Sequence, residues 1–292
     1  MSTATYVPSE LDNPLLGLFF GEADMTDSSY TNITPWYVFC GQNIKGTPHM
    51  PAAHAGHDIK VITKAADICV LQEFKWEDYW KAMTAELPRD QWHMYPSREA
   101  GLANPVDGAQ ANLWRVDKFS VRNRSKEVLM PQEAGISETR WLRAVLLASK
   151  ANPSLMAWYG TTHFVVGGDE SKDEGKRKTI LSRNIGRFDA FLSKLEQGGF
   201  PIIWELDANI HSNTNAFKEF DTVVRSHKGI YHGHQGVEYC VTFNNRFANV
   251  EVKKAWTIPT SELFTDHEGR LIQFRLTATS KTAIPNKEKA NA

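Results

Sequence analysis

The sequence predicts a layered α/β fold in which helices cover mixed β-sheets, and three observations indicate it. Short runs dense in β-branched and aromatic residues recur along the chain, and several are apolar almost throughout, as strands buried on both faces are. Two amphipathic stretches with helical spacing are interspersed among them. The length of 292 residues and the apolar share of 41% are enough to form a substantial core. Sheets covered by helices accommodate all three observations.

The positions of the predicted strands locate the polar motifs. Each run is short and is bounded by polar or turn-forming residues, which is typical of strands in a layered domain. The runs cover residues 36–44, 67–71, 111–116, 157–164, 201–206, 236–243 and 271–276.

The predicted helices follow two of these strands. Apolar residues at a spacing of three or four form one amphipathic face in each stretch. The second stretch meets Gly198 and Gly199, which are natural helix-terminating residues. The apolar positions are Trp76, Tyr79, Trp80, Met83 and Leu87 in the first stretch, and Ile185, Phe188, Phe191, Leu192 and Leu195 in the second.

The segment 140–150 is ambiguous from its residues alone. Its leucine, alanine and arginine content favours a helix, but residues 151–154 have the composition of a turn that leads into the next strand. We favour a β-hairpin for this segment.

The ends of the chain differ from its middle. Residues 1–35 are expected to be an irregular leader rich in Ser, Thr, Pro and Asp, and residues 281–292 a polar tail, with one domain over 36–280. The N-terminus lacks the features of a signal peptide, and its most apolar segment is too short to cross a bilayer. Cys40, Cys69 and Cys240 lie singly in apolar runs, which favours buried reduced thiols and a cytoplasmic protein without disulfides.

The formal net charge of −1 neither supports nor excludes a nucleic-acid substrate, because a local basic groove can be balanced by acidic surface elsewhere. The chemistry must therefore be sought in motifs. Five short polar motifs stand at or beyond the ends of predicted strands, where a layered fold can gather side chains into one cleft. Each motif alone has a simpler explanation as a loop, cap or turn. They are Gln42-Asn43, Gln72-Glu73, Thr162-His163, Asp207-Ala208-Asn209 and Asp266-His267.

The order of these motifs resembles that of the endonuclease/exonuclease/phosphatase (deoxyribonuclease-I-like) superfamily over residues 36–277. The fragment 112–119 also resembles the strand and turn that lie between the Glu and His motifs of that family. The resemblance implies a four-layer α/β sandwich, two mixed β-sheets packed face to face with helices on the outside. It also implies that segment 140–150 is a strand.

The resemblance implies a divalent metal ion as cofactor, Mg²⁺ or Mn²⁺, held by Asn43 and Glu73, with Asp266 either helping to hold the metal or fixing the imidazole of His267. Hard oxygen ligands of this kind suit both ions, and a cation can neutralise the charge that builds on a phosphate. No pair or cluster of cysteines accompanies these residues, so a structural zinc site is not indicated.

The resemblance also implies roles for the proton-transfer groups. Asp207 would orient or deprotonate the attacking water, and Asn209 would hold water or phosphate. His163 and His267 would face the scissile phosphate, since a histidine can act as acid or base near neutrality. Glu238 stands where many members have an aspartate that supports the final histidine.

The sequence departs from the family pattern at three positions beside the motifs. Leu206 stands where a glycine usually precedes the Asp-x-Asn motif, Thr265 replaces the usual serine before Asp-His, and Glu268 stands near the position of a common proline. None of these changes removes a metal ligand or a proton-transfer group, and together they indicate a divergent member.

The motifs do not identify the class of substrate, but the basic residues around them give an indication of it. Lys176, Arg177 and Arg140 are candidate substrate-binding residues, although a charged loop such as 169–178 is more often simply solvated. We expect a monomeric nuclease that acts on DNA or RNA and has no membrane partner. A phosphatase or phosphodiesterase acting on inositol phosphates or lipid headgroups is the alternative, followed by a binding protein that has lost catalysis.

Overall fold

The computed structural model of the chain describes residues 32–45, 51–74, 76–105, 109–133, 136, 138–169 and 175–279, except the side chains of residues 234 and 235. The strands are β1 Tyr37–Asn43, β2 Ile68–Gln72, β3 Trp92–Tyr95, β4 Gln110–Arg115, β5 Phe119–Met130, β6 Arg140–Ser149, β7 Met156–His163, β8 Ile202–Asp207, β9 Ile230–Gln235, β10 Glu238–Phe243, β11 Ala248–Ile258 and β12 Gly269–Ala278. The helices are α1 Ala52–Ala65, α2 Glu77–Glu86, α3 Arg98–Ala103, α4 Lys176–Glu196 and α5 Asn215–Ser226, with a short 3₁₀ turn at Thr260–Glu262.

These strands form two mixed six-stranded sheets, which we call sheet A and sheet B. The order in sheet A is β11-β12-β1-β2-β4-β3, and the order in sheet B is β5-β6-β7-β8-β10-β9. In sheet A β1 is parallel to β2, in sheet B β7 is parallel to β8, and the other pairs are antiparallel.

Three apolar clusters show how the layers pack. One joins α1 and α2 to the outer face of sheet A, a second joins α4 and α5 to the outer face of sheet B, and the third lies between the sheets. Along β8, Ile203 contributes to the cluster between the sheets while its neighbour Trp204 packs toward α4. Central strands are therefore buried on both faces, which explains their nearly continuous apolar sequence. The predicted four-layer α/β sandwich is confirmed.

The segment whose residues were ambiguous is a strand. Arg140–Ser149 forms β6, which pairs antiparallel with β7 across the turn at 150–155, so the β-hairpin prediction is confirmed. Its leucines and alanines are buried because β6 is an inner strand of sheet B. Pairing with two neighbours outweighs helix propensity, which is a weak preference.

Both predicted helices are present, and one strand begins later than predicted. The helix α4 ends at Glu196, just before Gly198 and Gly199, and Gly199 has a positive φ of 77°. The run 236–243 is shorter than predicted, because Gly236 has a φ of 58° and belongs to the turn before β10.

All three cysteines are buried and free, as the sequence indicated. They lie in β1, β2 and β10, and burial raises the pKa of each thiol. These thiols are apolar core groups rather than ligands or nucleophiles.

Two expectations lie partly or wholly outside the described residues. One is the predicted leader, of which residues 1–31 lie outside the described residues, and the other is the predicted tail 281–292, which lies outside them entirely. Residues 32–34 are described and attach to β12, through a bridge between Ile33 and Thr277 and a hydrogen bond of 2.9 Å from Thr34 N to Leu276 O. None of the described helices has the length and apolar character needed to cross a membrane.

Candidate active site

The polar motifs meet at one edge of the two sheets because of strand direction. Asn43, His163 and Asp207 are the last residues of β1, β7 and β8, and Glu73 directly follows β2. β10 runs antiparallel to β8 with Glu238 opposite Asp207, so the beginning of β10 lies at the same edge. The carboxyl ends of parallel strands share an edge, which is where ligands bind in many α/β folds.

Asp207 lies at the centre of this edge and is only 2% exposed. Its Oδ2 accepts a hydrogen bond of 2.9 Å from Asn43 Nδ2, and its Oδ1 accepts one of 3.1 Å from the backbone N–H of Asn209. Asn209 has a φ of 50°, a left-handed conformation that asparagine tolerates better than most residues. These contacts hold the carboxylate in one orientation.

His267 is held by Glu238. The distance between His267 Nδ1 and Glu238 Oε1 is 2.5 Å, and Arg270 Nη2 donates to Glu238 Oε2 at 3.1 Å. Gln42 Nε2 donates to the carbonyl of His267 at 3.0 Å and so fixes its backbone. Ligand atoms of Asp207, Glu238 and His267 all lie within 4.8 Å of one another.

The surroundings of Asp207 and His267 shift the pKa of both side chains. Burial, reinforced by the charge of Glu238, raises the pKa of Asp207 to about 6, although His267 and Asn43 act in the opposite direction. Burial alone would lower the pKa of His267, but the hydrogen bond and charge of Glu238, with Asp207 and Asp266, raise it to about 9. At neutral pH Asp207 is therefore mainly a carboxylate and His267 an imidazolium.

Glu73 joins the cluster through His163. The distance from Glu73 Oε1 to His163 Nδ1 is 3.6 Å, and the distance from His163 Nε2 to Asp207 Oδ2 is also 3.6 Å. The backbone of Glu73 has a φ of 59°, which is uncommon for a residue with a side chain. The side chain of Glu73 is 26% exposed, whereas that of His163 is only 4% exposed.

Asp266 lies at the outer side of the cluster. Its Oδ1 is 3.6 Å from His267 Nε2, and its Oδ2 pairs with the ammonium of Lys45. Thr265 Oγ1 donates to the carbonyl of Asn43 at 2.9 Å, which ties this loop to the end of β1. Burial raises the pKa of Asp266, but Lys45 and His267 outweigh it and the net pKa is lowered.

The basic candidates lie in two different settings. Arg140 and Asn209 both donate to the carbonyl of Phe164, so Arg140 adjoins the Asp-x-Asn motif. Arg177 donates to the carbonyl of Val166 at 2.8 Å. Lys176, in contrast, pairs with Glu133 at 2.7 Å and is already neutralised.

Solved structures share this architecture. No protein-family model and no curated protein matches the sequence. An endonuclease/exonuclease/phosphatase from Bacteroides vulgatus aligns with a TM-score of 0.61 at 14% identity, over 82% of this chain and 99% of that chain. The chain has the endonuclease/exonuclease/phosphatase fold.

Two further structures show how varied the proteins with this fold are. The mannosyl-6-phosphatase Bt3783 of Bacteroides thetaiotaomicron aligns with a TM-score of 0.60 at 13% identity, over 82% of this chain and 99% of that chain. The catalytic domain of human Nocturnin, with a bound sulfate anion, has a TM-score of 0.60 at 16% identity, over 84% of this chain and 97% of that chain.

Within the endonuclease/exonuclease/phosphatase fold, this chain has a donor set that fits a hard divalent cation. The donor set comprises the carboxylates of Glu73 and Asp266 and the amide oxygen of Asn43, which also accepts a hydrogen bond of 2.8 Å from Lys45 N. Oxygen ligands of this kind suit Mg²⁺ or Mn²⁺.

The sequence did not reveal several groups that support the site. Arg270 bonds Glu238, and Lys45 pairs with Asp266. Glu205 lies two residues before Asp207, on the same face of β8. Burial, together with the charge of Glu238, raises the pKa of Glu205 to about 8. One signal for Arg270 and Glu205 was available in the sequence. Each is a charged residue on a strand face where the neighbouring position, two residues away, points into the core.

Glu205 occupies space that Gly41 leaves open. A Cβ atom at Gly41 would lie 2.0 Å from Glu205 Cγ, and Gln72 Nε2 donates both to Glu205 and, at 2.7 Å, to Thr161 Oγ1. The two sheets therefore meet through a polar layer directly beneath the candidate site.

Proposed function

We propose that this protein is a divalent-metal-dependent phosphoesterase, a nuclease that hydrolyses phosphodiester bonds of DNA or RNA. The observation that carries the proposal is the pairing of Asp207 with His267. A buried carboxylate with a pKa of about 6 and an imidazolium with a pKa of about 9 lie in one cluster. Phosphoryl transfer needs a base for water and a positive group for the phosphate, and this pair supplies both.

Asn43, Glu73 and Asp266 would hold the metal ion. A bound Mg²⁺ or Mn²⁺ supplies positive charge that stabilises the charge developing on the phosphate oxygens. Binding at Asp266 would compete with the ammonium of Lys45, which now pairs with that carboxylate.

Asp207 would orient the attacking water and take its proton. The bonds from Asn43 Nδ2 and Asn209 N fix the carboxylate, so little reorganisation is needed before the reaction. The water oxygen forms a bond to phosphorus, the ester P–O bond breaks, and the departing oxygen keeps the electron pair and takes up a proton. A pKa of about 6 suits a base that works near neutral pH.

His267 would bind the scissile phosphate as a cation. Glu238 holds Nδ1, so the imidazolium can present Nε2 to a phosphate oxygen. Glu238 acts through His267 and is a positioning residue, and Arg270 holds Glu238 in turn. His163, between Glu73 and Asp207, would be the second phosphate-facing histidine.

Arg140 and Arg177 support an extended phosphate backbone as substrate. Both guanidinium groups bond carbonyls in the stretch that follows His163, so they line one side of the site. Arginine is well suited to phosphate recognition because its fork of donors matches phosphate oxygens. The three free thiols in the core agree with a cytoplasmic location, which we include in the proposal with a monomeric state.

A phosphatase acting on a small phosphate ester is the second candidate. The neutralisation of Lys176 by Glu133 favours it, because the basic surface near the site is then smaller than the sequence indicates. The similarity to a mannosyl-6-phosphatase is compatible with it.

One experiment separates the two candidates. Purified protein is incubated with supercoiled plasmid and single-stranded RNA, and in parallel with sugar and inositol phosphates, each with Mg²⁺ or with EDTA. We expect metal-dependent nicking or RNA cleavage, which Asp207→Asn abolishes. Phosphate release from the small esters, without any cleavage of nucleic acid, would overturn the nuclease proposal in favour of the phosphatase. No activity on either substrate class would overturn both.

A further inference from the structure

Phe264 stands two residues before Asp266 and is unusually exposed for an aromatic residue. Its relative exposure is 52%, yet the ring is not loose. The His54 ring stacks on it with a centroid distance of 3.8 Å and an interplanar angle of 5°, and His57 meets it edge-on at 4.9 Å and 77°. His54 covers one face of the ring and His57 contacts the ring edge-on, so the exposed area is the part that these two imidazoles leave open.

The loop that carries Phe264 is fixed by a buried carboxylate. Asp58 of α1 is fully buried, and it accepts hydrogen bonds of 2.8 Å from Phe264 N and 3.1 Å from Thr265 N. Leu263, the preceding residue, is buried in the cluster between α1, α2 and sheet A. The helix therefore holds both the ring and the beginning of the segment that continues into Asp266 and His267.

A groove of about 440 Å³ adjoins the ring. Its lining combines apolar side chains with groups that can form hydrogen bonds, as is typical of sites that bind small organic groups. The lining residues are His57, Val61, Ser261, Glu262, Leu263 and Phe264.

The position of Phe264 relative to the candidate active site determines which part of a substrate could reach its ring. Two residues of extended chain span at most about 7 Å, so the Phe264 backbone lies within that distance of Asp266. A base and its own phosphate are separated by a similar length in a nucleotide. A phosphate at His267 would therefore have a neighbouring base within reach of the loop that carries the ring.

We propose that Phe264, backed by His54, is a stacking platform for a base of the nucleic-acid substrate beside the scissile phosphate; this inference rests on the proposed nuclease function. Stacking on an aromatic ring tolerates every base, because each base has a flat π-face. Glu262 adds an acceptor, which favours bases that carry an exocyclic amino group over those that do not.

The test compares two single-stranded oligomers of equal length in the presence of Mg²⁺. One is an ordinary oligonucleotide, and in the other every nucleoside is replaced by a base-free tetrahydrofuran unit. The ratio of kcat/KM between the two oligomers is measured for the wild type, Phe264→Ala, Phe264→Leu and Phe264→Trp. Ile230→Ala is the control, since Ile230 is 48% exposed and pairs with Thr242, far along β10 from Glu238.

We expect the wild type to prefer the ordinary oligonucleotide. Phe264→Ala should lower the ratio by about 5- to 100-fold, the effect typical of losing one stacked base. Phe264→Leu should lower it as well, because bulk without a π-face does not restore stacking, and Phe264→Trp should keep it. Ile230→Ala should leave the ratio unchanged. Thermal melting of each variant checks that it is folded.

The outcomes separate this inference from the proposed function. An active wild type whose ratio does not change in Phe264→Ala or Phe264→Leu would overturn the platform and leave the nuclease proposal intact. An inactive wild type would overturn the nuclease proposal. Fluorescence anisotropy with the ordinary oligonucleotide would then judge the platform by itself, since equal binding by the wild type and Phe264→Ala would overturn it.

Discussion

At the scale of single residues, the protonation of Asp207 and His267 depends on what surrounds them. The same neighbour, Glu238, raises the pKa of both, because a negative charge disfavours a second carboxylate and favours an imidazolium. With pKa values of about 6 and about 9, the two groups carry opposite charges at neutral pH. This charge separation is what the proposed reaction needs.

We expect Asp207→Asn and His267→Ala to lower kcat by about 10²- to 10⁴-fold each while KM changes little. Proton transfer and charge stabilisation act in the transition state, so their loss affects turnover rather than substrate binding. Steady-state kinetics on the preferred substrate provides the measurement.

The matched control for Asp207→Asn is Asp221→Asn, which removes a carboxylate of α5 that pairs with Arg225 and Tyr231, away from the candidate site. It should leave kcat close to the wild-type value. Near-wild-type turnover of Asp207→Asn would contradict the role of Asp207.

The sequence predicted the residues that follow strands but not those that support them. Asn43, Glu73 and Asp207 each come at the end of an apolar run, so their positions could be read along the chain. The partners of Arg270, Lys45 and Glu205 lie 32, 221 and 133 positions away in the sequence. Such pairings are set by sheet order and cannot be derived from local pattern.

At the scale of elements, the contact between β1 and β8 depends on the absence of a side chain at Gly41. Gly41→Ala would bring Cβ within 2.0 Å of Glu205 Cγ, and the buried glutamate cannot move without leaving Gln72. We expect a loss of about 1–3 kcal/mol in the free energy of unfolding, as is typical of overpacking. Urea denaturation measures it.

Gly186→Ala is the matched control for that substitution. Gly186 lies within α4, and a Cβ atom there would meet nothing within 4 Å. Alanine should raise the free energy of unfolding by up to about 1 kcal/mol, because it is the better helix former. Equal stability of Gly41→Ala and the wild type would show that the two sheets are not in close contact there.

The end of α5 is tied to α4 by His227. Its Nε2 lies 2.7 Å from Asp189 Oδ1 and its Nδ1 lies 2.8 Å from Glu196 Oε2. Burial lowers the pKa of His227, but the hydrogen bonds to Asp189 and Glu196 outweigh it, so the net pKa is raised. A raised pKa in the folded state stabilises the fold below the unfolded pKa of about 6.5, and the effect is lost as pH rises through the folded pKa.

We therefore expect His227→Gln to be more destabilising at pH 5.5 than at pH 9.5, by about 1 kcal/mol or less. Urea denaturation of both proteins at the two pH values gives the difference. A destabilisation that is equal or larger at pH 9.5 would contradict the raised pKa.

The inner strands were predictable and the edge strands were not. β2 and β8 are buried along their whole length and mostly apolar, because both of their faces are covered. β5 and β11 stand at sheet edges and carry many exposed polar residues, so their sequences resemble loops. The helix α5 was also missed, since only Phe220 and Val224 are buried in it.

At the scale of the whole molecule, the proposed metal ion would link activity to stability. A ligand that binds only the folded state stabilises it by RT ln(1 + [L]/Kd), about 2.7 kcal/mol at 100 times Kd. We expect Mg²⁺ or Mn²⁺ to raise Tm by about 2–4 °C for each kcal/mol, and EDTA to abolish activity. Differential scanning fluorimetry and the activity assay measure the two effects.

Glu73→Gln should remove the Tm increase with little effect on Tm in EDTA. Glu251→Gln is its control, because Glu251 pairs with Arg275 between β11 and β12, away from the candidate site. Full activity in EDTA, or an equal metal response in Glu73→Gln, would contradict the assigned site.

The overall architecture was predicted from the order of the motifs rather than from identity with known proteins. The three solved structures described above share only 13–16% of their residues with this chain, yet they cover 82–84% of it. Packing of two sheets requires only suitable size and polarity at most positions, whereas the chemistry of the site fixes the residue type at a few positions. The identity of the substrate depends on loop residues such as Phe264, for which the sequence alone gave no signal.

The three buried cysteines can report when each sheet of the protein opens. Each thiol lies in a different strand, β1 and β2 in sheet A and β10 in sheet B, and none is accessible to an alkylating reagent while its sheet is closed. Pulse labelling followed by peptide mass spectrometry would therefore time the exposure of each sheet separately. Simultaneous modification of Cys40, Cys69 and Cys240 would mean that the sandwich opens as one cooperative unit, and earlier modification of Cys240 would mean that sheet B opens first.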